Sequence, residues 1–148
     1  MVNPANELVT FLLVEDDDAH AKLTIRTFQK SNIDNPVVRV HDGDEALLYL
    51  RRKGQFEGAK RPGVIFLDLN IPGTNGLDVL KTIKEDQSLR TIPIVILTTS
   101  RSLSDRQTAY MRYANSYIVK PVDCDKFFKM AKDIGLYWGQ LNTPSEEV

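Results

Sequence analysis

The chain has 148 residues, 42% of them hydrophobic, which is enough for one domain with a substantial core. Its formal net charge is −1, whereas a protein built to grip nucleic acid phosphates carries a basic surplus. The densest basic spots, Arg51–Lys53 and Lys60–Arg61, read as solvated helix and loop ends.

The opening stretch "MVNPANELVTFLLVEDDD" has no basic leader, and its apolar run is too short for a signal peptide or a membrane span. A cytoplasmic protein is expected. Residues 1–8 read as a tail, and "VTFLLV" (9–14) as a first strand ending in "EDDD". Ala21, Ile25 and Phe28, spaced by four and three, place an amphipathic helix over "AHAKLTIRTFQKSN". Asp17 and Asp18 read as surface residues that start it. "PVVRV" (36–40) is a second strand, and "GDEALLYLRRKG" a helix stopped by Gly54.

A loop leads to a third strand, "VIFLDL" (64–69), whose four apolar residues end at Asp68. Turn residues follow, then a helix over "GLDVLKTIKED" with Leu77, Leu80 and Ile83 on one face. "IPIVILTT" (92–99) is the strongest strand signal, rich in β-branched residues. The next helix begins with Ser102 and Asp105, which resemble a capping box with Asp in place of Glu or Gln. "SYIVKP" (116–121) is a fifth strand. A last helix runs from Asp123 to Leu141, with Phe127, Ala131, Ile134, Trp138 and Leu141 as its core stripe and Tyr137 turned outward. Residues 142–148 read as a frayed tail. The single cysteine, Cys124, excludes an intramolecular disulfide and a multi-cysteine metal site, suits a reducing compartment, and reads as a spectator. His20 and His41 sit in no motif and are expected to be solvated.

Five strand–helix repeats imply a parallel sheet covered on both faces, with its working crevice beyond the carboxyl ends of the strands. At that edge strand 1 delivers Glu15 and Asp16, strand 3 Asp68, strand 4 Thr98 and Thr99, and strand 5 Lys120. Strand 2 brings nothing comparable and should lie to one side. Clustered carboxylates repel one another unless a cation joins them, and oxygen-only ligands at a shallow edge suit Mg²⁺. Together with the Lys120 ammonium and the Thr98 hydroxyl they form a set able to clamp a phosphoryl group, with one carboxylate as nucleophile. An Mg²⁺-dependent hydrolase gathers acids in a similar way, but such sites usually carry a second Asp two residues after the first, where Asn70 stands here.

With "LLVEDD", "FLDLNIPGTNG", "ILTTS" and "YIVKP" in this order, the chain resembles the receiver domain of bacterial response regulators from two-component signalling, over about residues 9–141. The resemblance implies a flavodoxin-like (CheY-like), doubly wound, five-stranded parallel α/β sheet of order 2-1-3-4-5. It makes Asp68 the phospho-acceptor, and Glu15, Asp16, Asp68 and the backbone carbonyl of Asn70 the Mg²⁺ ligands. Thr98 and Lys120 then act on the phosphoryl group, and Thr98 and Tyr117 form the switch. Asn70 and Ser100 take the positions that tune phosphate lifetime, and the Lys120–Pro121 bond is expected to be cis. Glu15 replaces the more usual Asp, so its longer arm reaches the metal directly or through water.

The long connection "RRKGQFEGAKRPG" and the ending "YWGQLN" further resemble single-domain regulators of the bacterial-phytochrome type. The partners implied are a sensor histidine kinase, phytochrome-like, and a phosphorelay protein or a second copy docking through helix 4, strand 5 and helix 5. Nucleic acid and membrane are not among them. Such a protein promotes its own aspartyl phosphorylation and dephosphorylation without being a turnover enzyme. A receiver that binds partners without being phosphorylated is the alternative.

Overall fold

The structure, a computed structural model, describes residues 8–145. Most of the expected N-terminal tail (1–7) and the end of the C-terminal tail (146–148) lie outside the described residues. Five strands form one parallel sheet: β1 (Thr10–Val14), β2 (Val37–Val40), β3 (Pro62–Leu67), β4 (Ile94–Thr98) and β5 (Ser116–Val119), in the order β2-β1-β3-β4-β5. Between and after them run α1 (Asp18–Lys30), α2 (Gly43–Leu50), α3 (Gly76–Glu85), α4 (Leu103–Met111) and α5 (Cys124–Leu136).

The uninterrupted apolar runs follow from burial on both faces. Leu12, Val14, Ile65, Leu67, Ile94 and Ile96 pack on one side with Ala46, Tyr49, Val79, Leu80, Ile83 and Ala109 of α2, α3 and α4. The alternate residues Phe11, Leu13, Val64, Phe66, Val95 and Leu97 pack on the other with Ala21, Phe28 and Ile134 of α1 and α5. Phe11 stands edge-on to Phe66 with centroids 5.3 Å apart. Truncating a ring so placed to alanine costs about 3–5 kcal/mol.

Every α-helix starts at an extended residue whose side chain accepts a backbone N–H: Asp17, Asp42, Asn75, Ser102 and Asp123. The Ser102 cap expected from the sequence is present, but Asp105 does not close the box. Its carboxylate accepts from Ser100 Oγ at 2.6 Å instead.

Three expectations are corrected. Helix 2 ends at Leu50, and a 3-10 turn, Gly54–Phe56, lies in the long connection, where Phe56 packs edge-on against Tyr49. The last helix is α-helical only to Leu136. Tyr137–Leu141 widen into a π turn, and Gly139 passes so close to Asn35 that a Cβ there would lie 2.5 Å from Asn35 Oδ1. Trp138 still packs on the core and Tyr137 is exposed, as the stripe predicts, but Leu141, its expected last member, is exposed at the end of the π turn. Among the described residues no peptide bond is cis, so Lys120–Pro121 is trans. That is the isomer a tertiary amide favours by about 0.5–1 kcal/mol, and Lys120 reaches its partners from it.

Candidate functional site

Strand register brings the site together. β1 and β3 pair with Val14 opposite Leu67, so the residues that follow, Glu15 and Asp68, leave the sheet side by side. β4 and β5 pair with Thr98 opposite Val119, and the Lys120 amide donates to Thr98 O at 2.7 Å. Four elements thus deliver Glu15, Asp68, Thr98 and Lys120, all buried, to one crevice, with Asp16 exposed at its mouth.

Lys120 bridges the acids. Its Nζ donates to Glu15 Oε1 and, at 2.9 Å, to Asp68 Oδ2. The second oxygen of Asp68 accepts from the Asn70 amide at 3.2 Å, and the second oxygen of Glu15 from the Asp17 amide at 3.4 Å. Burial pushes the Asp68 carboxyl up, but the hydrogen bond and charge of Lys120 and the Asn70 amide outweigh it, leaving Asp68 below the usual carboxylate range. At Glu15 burial wins, and its carboxyl is pushed up to about 7 despite Lys120. The crevice therefore contains one carboxylate kept ionised and another that resists ionising without further positive charge.

Oxygens of Glu15, Asp16 and Asp68 lie within 4.8 Å of one another. Hard oxygen donors this close fit a divalent cation of the Mg²⁺ or Mn²⁺ kind.

Thr98 Oγ1 accepts from the Ser100 amide at 3.2 Å, and Thr99 beside it is exposed. The Ser100 hydroxyl turns away to Asp105, while its carbonyl accepts from Tyr117 Oη at 3.0 Å. Thr98, Ser100 and Tyr117 are thereby tied together along the β4–α4 connection. Asp17 and Asp18 start α1 as expected, and His41 and Cys124 are exposed.

Two residues that sequence reasoning set aside belong to this site. His20, expected in solvent, is half-buried with Nδ1 3.1 Å from Lys120 Nζ. Its place three residues after the Asp17 cap, on the turn of α1 that overlies the strand ends, was the available signal. Strand 2 lies at the sheet edge as expected but does contribute. Arg39 Nε donates to the Glu15 carbonyl at 2.8 Å, and Nη2 meets Asp18 Oδ1 at 2.9 Å. A charged residue between Val38 and Val40 was the hint.

Response regulator Rcp1 of Synechocystis sp. is 36% identical over 138 residues, covering 93% of this chain and 94% of Rcp1. The crystal structure of its Mn²⁺-bound form matches with a TM-score of 0.89 over 93% of this chain and 99% of that one. The probable methanogenesis regulatory protein FilR2 of Methanothrix harundinacea is 38% identical, over 90% of this chain and 86% of its own. The phosphorylated cyanobacterial phytochrome response regulator RcpA matches with a TM-score of 0.90 at 36% identity, over 95% of this chain and all of that one. The response regulator receiver domain family matches residues 11–132. With most of its length matched and its polar residues gathered where the strands end, the chain belongs to the response regulator receiver domain family.

Proposed function

We propose that residues 9–141 act as a phosphorylation switch in which Asp68 accepts a phosphoryl group from the phosphohistidine of a sensor histidine kinase. The observation that carries this reading is the convergence on Asp68: a buried, ionised carboxylate with Lys120 Nζ at 2.9 Å and oxygens of Glu15 and Asp16 within 4.8 Å. In the transfer an Asp68 oxygen forms the new P–O bond as the P–N bond of the donor breaks, and the bonding pair returns to the imidazole nitrogen.

Glu15, Asp16, Asp68 and the carbonyl of Asn70 would hold Mg²⁺, which when bound supplies positive charge against the phosphoryl oxygens. Lys120 adds a second positive charge, and Thr98 a hydroxyl that reaches the phosphoryl group once it leaves the Ser100 amide. Since Tyr117 is bonded to the Ser100 carbonyl, movement of Thr98 is felt at β5 and α4. Phosphate then biases a two-state equilibrium, as a negative ligand bound more tightly by one state. Asn70 and Ser100 flank the acceptor and the hydroxyl, and their small uncharged side chains set how readily water attacks the acyl phosphate.

The protein promotes its own modification and does not turn over a substrate. A phytochrome-like kinase is the donor favoured by the likeness to RcpA. The signal leaves through the α4–β5–α5 face, where Leu103, Tyr110, Met111 and Phe128 are exposed, to a second copy or a phosphorelay protein.

The test is intact mass after incubation with Mg²⁺ and acetyl phosphate. Wild type should gain one phosphate and Asp68→Asn none. A folded wild type that gains nothing from acetyl phosphate or from a phosphorylated kinase would leave the binding-only receiver as the better reading.

A further inference from the structure

Lys120 is only 3% exposed, and a buried ammonium needs an acceptor for each of its three N–H bonds. It has three: Glu15 Oε1, Asp68 Oδ2 at 2.9 Å, and His20 Nδ1 at 3.1 Å. An ammonium has no lone pair to give, so His20 must be the acceptor and carry its ring proton on Nε2. The ring is braced for this. The His20 amide donates to Asp17 Oδ1 at 2.9 Å, fixing the first turn of α1, and the imidazole lies against Phe127 of α5 with centroids 5.6 Å apart. The carboxylates of Glu15 and Asp17 are each 3.9 Å from Nδ1, so the close partner is Lys120.

We infer that His20 is a positioning residue for Lys120: the neutral acceptor that keeps the ammonium in place when Glu15 and Asp68 turn to a divalent cation. The inference rests on the metal-binding reading of the site. Glu15 and Asp68 have two claims on them, as acceptors for Lys120 and as two of the three carboxylates gathered for a cation. A cation that draws the very oxygens bonded to Lys120, Glu15 Oε1 and Asp68 Oδ2, removes two of its three bonds. A buried ammonium with no acceptor left is costly, and that cost falls on cation binding. With His20 in place one bond survives, on a group that is uncharged and does not compete for the cation. Lys120 thus stays near Asp68, where a phosphoryl group needs it.

The test is calorimetric titration of Mg²⁺ into metal-free wild type, His20→Leu and His20→Asn, with melting curves to confirm that each is folded. Leucine fills the space against Phe127 without an acceptor, whereas the asparagine side-chain oxygen falls near the place of Nδ1. His20→Leu should bind Mg²⁺ about fivefold to tenfold more weakly, and His20→Asn within about twofold of wild type. Should His20→Leu not fold, His20→Gln replaces it, because its longer arm carries the acceptor towards the Nε2 position. Equal affinity in His20→Leu and wild type overturns the inference. So does equal weakening in His20→Leu and His20→Asn, which would make ring packing the cause. If wild type itself takes up no Mg²⁺, the metal-binding reading fails and the inference fails with it.

Discussion

A side chain at position 76 would collide with the loop that carries Asp68, since a Cβ there would lie 2.4 Å from Asp68 O and 2.5 Å from Leu69 Cα. Gly76 therefore lets α3 begin directly behind Asp68. Gly76→Ala should cost about 1–3 kcal/mol in urea unfolding and slow phosphorylation by acetyl phosphate, because relief of the clash moves Asp68. Unchanged stability and rate would show that the loop yields freely. Arg39 supports the acids from the opposite side through the Glu15 carbonyl and Asp18. Arg39→Leu should lower stability by about 1 kcal/mol and weaken Mg²⁺ binding severalfold, read by calorimetry. Loss of stability with full Mg²⁺ affinity would confine Arg39 to a structural role. Asp68, Thr98 and Lys120 were legible in the sequence because each ends an apolar run and interrupts it. Arg39 and His20 left only hints, a charge within a strand and a place in the first turn of α1, because the partners that define their roles lie across a strand pair and above a helix turn.

Among the elements, the α3–β4 connection buries Leu89 and Ile92 in the core and is shaped by a polar turn at Asp86. Asp86 Oδ1 accepts from the Ser88 amide and hydroxyl, each at 2.8 Å, and from the Leu89 amide at 3.2 Å. The Ser88 hydroxyl and amide hold the Asp86 carboxyl below the usual carboxylate range. A carboxyl whose folded pKa is depressed stabilises the fold above its unfolded value of about 3.9. That stabilisation is lost as pH falls through the lower, folded value. Asp86→Ala should therefore lower stability modestly near neutrality, since solvent screens this carboxylate, and the difference from wild type should shrink as pH falls below the unfolded value. A difference that persists in acid would show that the carboxylate charge is not the cause. Five strands and five α-helices were legible from apolar runs and helical spacing. The π turn at Tyr137–Leu141 was hidden because the core stripe runs through it: Trp138 reaches the core whether the backbone is α or π, and only the approach of Gly139 to Asn35 separates the two.

At the scale of the whole molecule, the sheet is sealed more evenly on one side than on the other. Four residues of α1 are buried, as are four of α3 and four of α5, whereas α4 buries Ala109 alone. What holds α4 is mostly at its ends. Ser102 caps it, the Ser100–Asp105 hydrogen bond ties its first turn to β4, and Arg112 donates to Leu77 O at 2.8 Å and meets Asp78 Oδ1 at 3.2 Å. The strand order was legible from the fold the motifs implied. This imbalance was not, since the sequence of α4 gives three large apolar residues, Leu103, Tyr110 and Met111, that the fold leaves in solvent. An element with few buried contacts opens at low free energy, without global unfolding. Native-state hydrogen exchange should therefore find the amides of the second half of α4 exchanging at least about tenfold sooner than those of α3, with α1 and α5 protected like α3. Arg112→Ala should widen the gap by releasing the C-terminal end of α4 while leaving α1 and α5 unchanged. Equal protection of α3 and α4 would mean that end contacts alone hold a helix as firmly as a buried face. The α4–β5 surface would then need some other means of responding to the phosphate proposed on Asp68.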